Sequence, residues 1–145
     1  MNIALFTDTY KPEINGGVRA VEMIYQGLIN AGHNVIIVAP SVFKEKSEGN
    51  IFRIPSIPFF CQKERRVAYL WSKKVTEKAL KKFNIQIIHS HTPFSIGIIA
   101  LKLSKKTGIP LIHTNNSLFS EYIHYLPIPR NLGLYMVKKW SYHYM

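Results

Sequence analysis

The amino-acid sequence predicts a three-layer, Rossmann-like α/β domain built on a parallel sheet. Apolar segments of strand length alternate with segments of helical periodicity along its 145 residues. The strand segments are almost uninterrupted apolar runs, which is typical of strands that are covered by helices on both faces. In such a domain, ligands bind outside the carboxyl ends of the strands. We expect one domain, spanning residues 1–145, because this length leaves no room for a second.

The first predicted strand and helix lie close to the N-terminus. Residues 3–6 form a buried strand, because a short apolar run is followed by the polar turn 7–12. Residues 18–31 form an amphipathic helix, because apolar side chains recur at intervals of three and four. Gly32 is suited to end this helix, since glycine readily adopts the left-handed conformation found just beyond a helix.

The middle of the chain continues the alternation. Residues 35–38 are rich in β-branched side chains and form a second buried strand, and residues 51–54 form a weaker third strand. Two prolines make residues 55–62 an irregular connection. Residues 64–83 are predicted to be one helix, with Val67 among the side chains on its buried face.

The C-terminal third completes the pattern. Residues 85–89 and 110–113 are predicted strands, and residues 96–107 form the helix between them. A last helix begins at Asn131 and runs to Met145 without a glycine, asparagine or proline to stop it. We therefore expect that the natural chain continues beyond this point.

Cysteine content and hydropathy favour a cytoplasmic protein. Cys61 is the single cysteine, so neither an intrachain disulfide nor a cysteine-built zinc site can form. The N-terminal apolar run stops at Asp8, which is too early for a secretory signal. No uninterrupted apolar run in the sequence reaches the ~18 residues that a membrane span requires.

Positive charge is concentrated in one stretch of the chain. The formal net charge is +11, yet residues 1–62 are neutral and residues 63–82 alone carry +6. Such a field attracts phosphate-bearing partners. The stretch is either a solvated helix face or a surface that docks on anionic lipid, and nucleic acid is disfavoured because no aromatic stacking platform accompanies the charge. The lysines of the docking interpretation are Lys73, Lys74, Lys78, Lys81 and Lys82.

Unusual polar residues cluster in the three loops that follow predicted strands, namely 7–17, 89–95 and 113–125. In the first loop, Gly16 and Gly17 would let backbone N–H groups approach a phosphate at a helix N-terminus. The alternative is a tight turn that requires positive φ.

Three strand-end histidines suggest a metal triad, but hydrogen bonding to the loops is the commoner use and no metal is expected. They are His89, His91 and His113.

Six segments carry a family resemblance in their order and spacing. Together they resemble the N-terminal domain of GT-B glycosyltransferases of family 4, closest to diacylglycerol glucosyltransferases and related lipid or polyol glycosyltransferases. The likeness extends over essentially the whole chain. The segments are 6–10, 14–18, 32–35, 88–94, 108–114 and 121–127.

The resemblance implies the acceptor-binding half of a retaining glycosyltransferase. It would move a sugar from a nucleotide-diphosphate sugar to a lipid or polyol hydroxyl at the inner face of the plasma membrane, with no cofactor. Gly16 and Gly17 would contact the donor diphosphate, and an absent C-terminal domain would hold most of the nucleotide sugar. The side chains implied on the acceptor side are Asp8, Tyr10, Asn15, Arg19, His91, Thr92, Glu121 and Tyr122.

One position departs from the family pattern. Where the family has a second histidine near the donor sugar, this sequence has Asn116. An amide can donate a hydrogen bond but cannot act as a cation or proton relay near neutral pH, so we expect catalysis to be weakened by about 2–4 kcal/mol.

Two alternatives to an enzyme half stay open at this level. One is a non-catalytic membrane-docking subunit that needs a separate donor-binding chain, and the other is an inactive truncated remnant.

Overall fold

The computed structural model describes residues 1–42, 48–59, 62–69 and 72–115, with residues 129, 131–133, 135 and 138. Strands and helices alternate along the described chain, as the sequence predicts. The elements are β1 (Asn2–Phe6), α1 (Gly16–Asn30), β2 (Asn34–Pro40), β3 (Ile51–Ile54), β4 (Ser56–Phe59), β5 (Gln62–Ala68), α2 (Lys73–Lys82), β6 (Ile87–Ser90), α3 (Ser95–Thr107) and β7 (Leu111–His113).

Within the described residues, five strands form one sheet in the order β3-β2-β1-β6-β7. Each neighbouring pair in this sheet is parallel. The chain first extends the sheet from β1 through β2 to β3, and it then returns to add β6 and β7 on the other side. The strand order therefore reverses between β1 and β6, which is where this type of sheet opens a crevice for ligands. The predicted Rossmann-like fold is confirmed.

Helices cover both faces of the sheet. Because alternate side chains of a strand point to opposite faces, Ala4 and Phe6 of β1 enter one core cluster while Ile3 and Leu5 enter the other. The first cluster packs against α3, and the second packs against α1 through Val18 and neighbouring apolar residues. These two cores hold the carboxyl ends of the strands in place.

Residues 55–83 differ from the sequence-based prediction. Residues 56–59 form β4 rather than an irregular connection, and residues 62–68 form β5, which is antiparallel to β4. The predicted helix over 64–83 is therefore wrong in its first half, and Val67 is 37% exposed instead of buried. Cross-strand pairing overrides the helical periodicity here. Pro58 is tolerated because β4 pairs with β5 in a separate two-stranded sheet.

Arg66 makes two hydrogen bonds that the periodicity of the sequence does not reveal. Its Nε donates to the Ser56 hydroxyl at 3.1 Å, and its Nη2 donates to the Ser56 carbonyl at 2.9 Å. Both bonds cross from β5 to β4, so they stabilise the hairpin over the competing helix. The helix begins only at Lys73.

The helix ends agree with the predicted stops. Gly32 has φ +79° and lies just beyond the α1 C-cap residue Ala31. Gly108 ends α3 with φ 73°. The last predicted helix lies largely outside the described residues, although 131–133, 135 and 138 are helical.

Candidate functional site

Three loops meet at the carboxyl edge of the sheet. They follow β1 and β6, the two strands that flank the crevice, and β7, which lies next to β6. The backbone joins them directly, because the His91 N–H donates to the Phe6 carbonyl at 2.8 Å and the Thr114 N–H donates to the Ser90 carbonyl at 2.8 Å. Two of the loops that the sequence singles out are therefore neighbours in space, and the described start of the third adjoins them.

Asp8 lies at the centre of this edge and is 4% exposed. Its Oδ1 accepts hydrogen bonds from the Ser95 hydroxyl at 2.5 Å and from the Ile96 N–H at 2.8 Å. Its Oδ2 accepts one from the Thr92 hydroxyl at 2.7 Å, and the Gly97 N–H lies at 3.5 Å. The Thr92 hydroxyl in turn accepts the N–H of Asp8 at 2.9 Å.

These contacts make Asp8 the N-terminal cap of α3, supplied from the opposite end of the sequence. Phe94 occupies the local N-cap position, and a phenyl ring cannot accept a hydrogen bond from the first turn of the helix. A carboxylate at this point also benefits from the positive end of the helix dipole. Burial raises the pKa of Asp8, while the bonds from Ile96, Ser95 and Thr92 act in the opposite direction. Its predicted contact with the acceptor stays a prediction.

A group of histidines lies beside Asp8. His91 is 1% exposed, and neither of its ring nitrogens has a hydrogen-bond partner among the residues that the structure describes. Its ring centroid is 4.2 Å from that of His89, whose Nε2 is 2.8 Å from the Thr114 hydroxyl. Burial, together with His89 and His113, lowers the pKa of His91 to about 4. The His91 ring is therefore neutral at pH 7.

A neutral imidazole offers one hydrogen-bond donor and one acceptor, which is what a hydroxyl group requires. Burial also lowers the pKa of His89 and of His113. Across the described part of the chain, no group of three or more histidine, cysteine or carboxylate side chains is placed to hold a metal ion.

The N-terminus of α1 is the second polar feature at this edge. The Asn15 side chain caps the helix, with its Oδ1 accepting from the Val18 N–H at 2.9 Å. In the described chain only Gly32, Gly49 and Gly108 are glycines with positive φ. The alternative of a turn that requires positive φ at Gly16 and Gly17 is therefore wrong.

The two glycines differ in what surrounds them. A Cβ at Gly17 would lie 3.2 Å from the Asn15 Oδ1 and 3.3 Å from the Thr9 Oγ1, so a side chain there would crowd the cap. A Cβ at Gly16 would meet nothing within 4 Å. Neither backbone geometry nor internal crowding explains Gly16. Its missing side chain leaves space beside the helix N-terminus, as far as the described residues define its surroundings.

The remaining predicted residues are placed in different ways. Tyr10 is buried in the core cluster beneath α1, and burial followed by the charge of Glu22 raises its pKa. Arg19 is exposed at the start of α1. Three predicted site residues lie outside the described residues and remain predictions: Asn116, Glu121 and Tyr122.

Sequence reasoning missed two residues that build this edge. Ser95 donates to Asp8 and accepts the Ala68 N–H at 2.9 Å, so it joins the hairpin to the site. A serine directly before a predicted helix is a capping signal, and that signal was available. Arg53 lies at 5.7 Å from the Tyr10 ring centroid and donates to the Lys11 carbonyl. No local pattern reveals this contact, because it joins positions far apart in the sequence.

Comparison with known proteins identifies the family. Residues 14–145 match the family described as Glycosyltransferase Family 4. The chain belongs to this family. The resemblance predicted from the six sequence segments is therefore confirmed, and the parallel sheet of this family 4 domain agrees with it.

Curated relatives of this family 4 chain include two enzymes named alpha-monoglucosyldiacylglycerol synthase. That of Streptococcus pneumoniae is 37% identical over 128 residues, covering 87% of this chain and 29% of the relative. That of Acholeplasma laidlawii is 34% identical over 130 residues, with 87% and 32% covered. A GDP-mannose-dependent alpha-mannosyltransferase of Corynebacterium glutamicum is 25% identical over 143 residues, with 88% and 33% covered. The chain thus spans about a third of the length of these relatives.

We expect Asp8→Asn to destabilise the fold by about 2–4 kcal/mol, because the new amide would direct a donor at groups that are themselves donors. Urea unfolding of the purified chain measures this. Asn15→Ala serves as the comparison, since it removes the local neutral cap of α1 and should cost only about 1 kcal/mol. If Asp8→Asn lowers the free energy of unfolding no more than Asn15→Ala does, the assignment of Asp8 as the cap of α3 is wrong.

We expect acid to destabilise the fold through His91. The unfolded imidazole takes up a proton below its ordinary pKa of 6.5, while the folded one does so only near 4. The free energy of unfolding should therefore fall by about 3 kcal/mol as the pH drops from 6.5 to 4. In His91→Gln this loss should be much smaller. If the free energy of unfolding falls equally with pH in the two proteins, folding does not lower the pKa of His91, and the prediction is wrong.

Proposed function

We propose that this chain forms the acceptor-binding half of a retaining glycosyltransferase. The bond between the anomeric carbon and the donor diphosphate breaks, and a bond to the acceptor hydroxyl oxygen forms. The hydroxyl proton is lost, and a nucleoside diphosphate leaves. Family membership supports this class of reaction. We assign the reaction to this edge of the sheet because Gly16 lacks a side chain, which leaves the start of α1 open.

The diphosphate is proposed to bind at the N-terminus of α1, across Gly16 and Gly17. Unpaired backbone N–H groups and the helix dipole favour an anion there. Negative charge grows on the diphosphate as the sugar leaves, so this contact strengthens in the transition state. No positively charged side chain is required at that point.

The acceptor is proposed to be a neutral hydroxyl compound, with diacylglycerol the first candidate because two relatives carry it in their names. His91 and Thr92, neighbours in the loop after β6, are proposed as acceptor contacts, and the enclosed His91 ring must become accessible for that contact to form. The other acceptor contacts are proposed from the family resemblance: Asp8, Tyr10, Asn15, Arg19, Glu121 and Tyr122.

A second, donor-binding domain completes the proposed active site, either in the same polypeptide or as a separate chain. It would hold the nucleotide and most of the sugar. Asn116 is proposed to lie beside the donor sugar, where it supplies a neutral hydrogen-bond donor in place of the family's histidine. The 145 residues alone are expected to show no steady transfer.

The test compares two glycines of α1. Gly16→Ala and Gly27→Ala both add a methyl group to open space in the same helix, so neither should destabilise the fold. Each is made in this chain fused to the C-terminal two-thirds of the Streptococcus pneumoniae relative. The fusion is assayed with diacylglycerol vesicles and UDP-, GDP- and ADP-hexoses.

We expect Gly16→Ala to lower kcat/KM about tenfold, because its methyl group obstructs the diphosphate. Gly27→Ala should retain full activity. The proposal is overturned if the unmodified fusion transfers no sugar, or if the two alanine variants have the same activity.

The basic surface of α2 is proposed to dock the protein on anionic lipid at the inner, cytoplasmic face of the plasma membrane. Lys78, Lys81 and Lys82 are exposed in the structure. The Lys81 Nζ lies 3.3 Å from a carboxylate oxygen of Glu77, which also binds Lys106. Lys81 is therefore partly neutralised, and the docking charge rests more on Lys78 and Lys82. No helix in the described ranges is both long and apolar enough to cross a membrane.

We expect Lys78→Gln with Lys82→Gln to weaken binding to phosphatidylglycerol vesicles about thirtyfold, at roughly 1 kcal/mol per lysine. Co-sedimentation at physiological salt measures the binding. Lys102→Gln with Lys105→Gln makes the same change in charge on α3 and is the matched control. Equal losses in the two double variants would mean that the net charge, and not the α2 surface, determines lipid binding.

A further inference from the structure

Arg53 reaches from β3 across the end of β2 to the loop that follows β1. Its Nη1 donates to the Pro40 carbonyl at 3.2 Å, and its Nη2 donates to the Lys11 carbonyl at 2.7 Å. Its guanidinium carbon lies 5.7 Å from the centroid of the Tyr10 ring. One side chain therefore contacts both residues of the Tyr10–Lys11 pair and joins them to the sheet.

The loop segment between Tyr10 and Asn15 also makes contacts within the loop and with α1. The Glu13 N–H donates to the Tyr10 carbonyl at 3.2 Å, which closes a turn within the loop and does not join it to the sheet. The Lys11 ammonium pairs with Glu22 of α1, but the Lys11 side chain is 62% exposed. An ion pair exposed to this extent contributes little to stability. Arg53 adds charge-assisted hydrogen bonds that join the loop to the sheet.

We propose that Arg53 is the positioning residue of this loop. It holds the segment that leads into Asn15 and Gly16, and it thereby sets where the N-terminus of α1 meets the leaving diphosphate. The inference rests on the proposed function, since it assigns Arg53 a part in that same reaction. Arg53 itself contacts neither the donor nor the acceptor in this scheme.

The contacts require an arginine. The planar guanidinium presents N–H groups in a fixed fork, which lets it bridge two carbonyl oxygens while its face lies near an aromatic ring. A lysine at the same position could reach one carbonyl, because its ammonium is a point charge on a flexible stem. A methionine would keep much of the apolar stem and lose both hydrogen bonds.

The kinetic effect should fall mainly on kcat. The donor-binding domain is proposed to hold most of the nucleotide sugar, so loosening this loop changes ground-state binding little. The contact at the start of α1 matters most when charge grows on the diphosphate, which is in the transition state. A stability defect alone would change the amount of folded protein and leave the balance between kcat and the donor KM unaltered.

The test uses Arg53→Met and Arg53→Lys, with Arg66→Met as the matched control. Arg66 likewise donates two hydrogen bonds between neighbouring strands, but it does so in the β4–β5 hairpin, away from the loop. Transfer is measured in the fusion described above, and amide hydrogen exchange over residues 11–17 is measured in the same proteins.

For Arg53→Met we expect kcat to fall about tenfold, with the donor KM changed less than about twofold and exchange over residues 11–17 about tenfold faster. In Arg53→Lys the fall in kcat and the rise in amide exchange over residues 11–17 should both be smaller. Arg66→Met should alter neither. If Arg53→Met does not fold, the same comparison between Arg53→Lys and Arg66→Met decides the question with smaller changes.

The two proposals fail in distinguishable ways. A fusion that transfers no sugar overturns the proposed function, and the exchange data still decide whether Arg53 holds the loop. Unchanged exchange in the Arg53 variants overturns the inference whatever the activity. Faster exchange in these variants, combined with a kcat equal to that of Arg66→Met, also overturns it, because the loop position would then have no bearing on the reaction.

Discussion

The carboxyl edge of this domain depends on one buried negative charge. Asp8 extends the end of β1 into the first turn of α3, where backbone N–H groups have no partner within the helix. Removing a carboxylate from water is costly, and here four hydrogen-bond donors and the helix dipole offset part of the cost, while burial still raises the pKa of Asp8. The same set of bonds positions Thr92 and Ser95, so the loop after β6 takes its shape from a residue of the loop after β1.

The electrostatics of the edge contrast with those of the whole chain. The formal net charge is +11, yet the described side chains at the centre of the edge are a buried carboxylate and neutral imidazoles. The proposed contact with a phosphate therefore relies on backbone N–H groups at the start of α1. The lysines of α2 lie on a different surface. The long-range field of the protein and the local chemistry of its site are thus produced by separate parts of the chain.

Much of the fold could be predicted from the sequence, because each strand of the parallel sheet is a short apolar run and two helices end at glycines. The prediction is wrong over residues 56–59 and 62–68, where apolar residues such as Val67 satisfy a helical period but the chain pairs β4 with β5. Local periodicity carries no information on a partner strand. Loop positions at the edge were predictable for the same topological reason, since parallel strands share one carboxyl end.

The contacts within the site were less predictable. Nothing near Asp8 in the sequence shows that it caps a helix at Ile96, and nothing near Arg53 shows that it binds the Lys11 carbonyl. The three histidines were recognised as strand-end residues, but only the packing shows that the His91 ring is enclosed and neutral. Gly16 and Gly17 look equivalent in the sequence, but in the structure described side chains crowd only Gly17.

The sequence separation of the Asp8 contacts has a consequence for folding. Asp8 and Ile96 are 88 positions apart, and the bond between the Asp8 N–H and Thr92 spans 84 positions. Closing so long a segment costs entropy before any of these bonds can form, and domains rich in such contacts fold slowly. The start of α3 thus has no cap until β1 has docked beside β6. The carboxyl edge of the sheet should be among the last parts of the domain to assemble and should be lost together with β1 on unfolding.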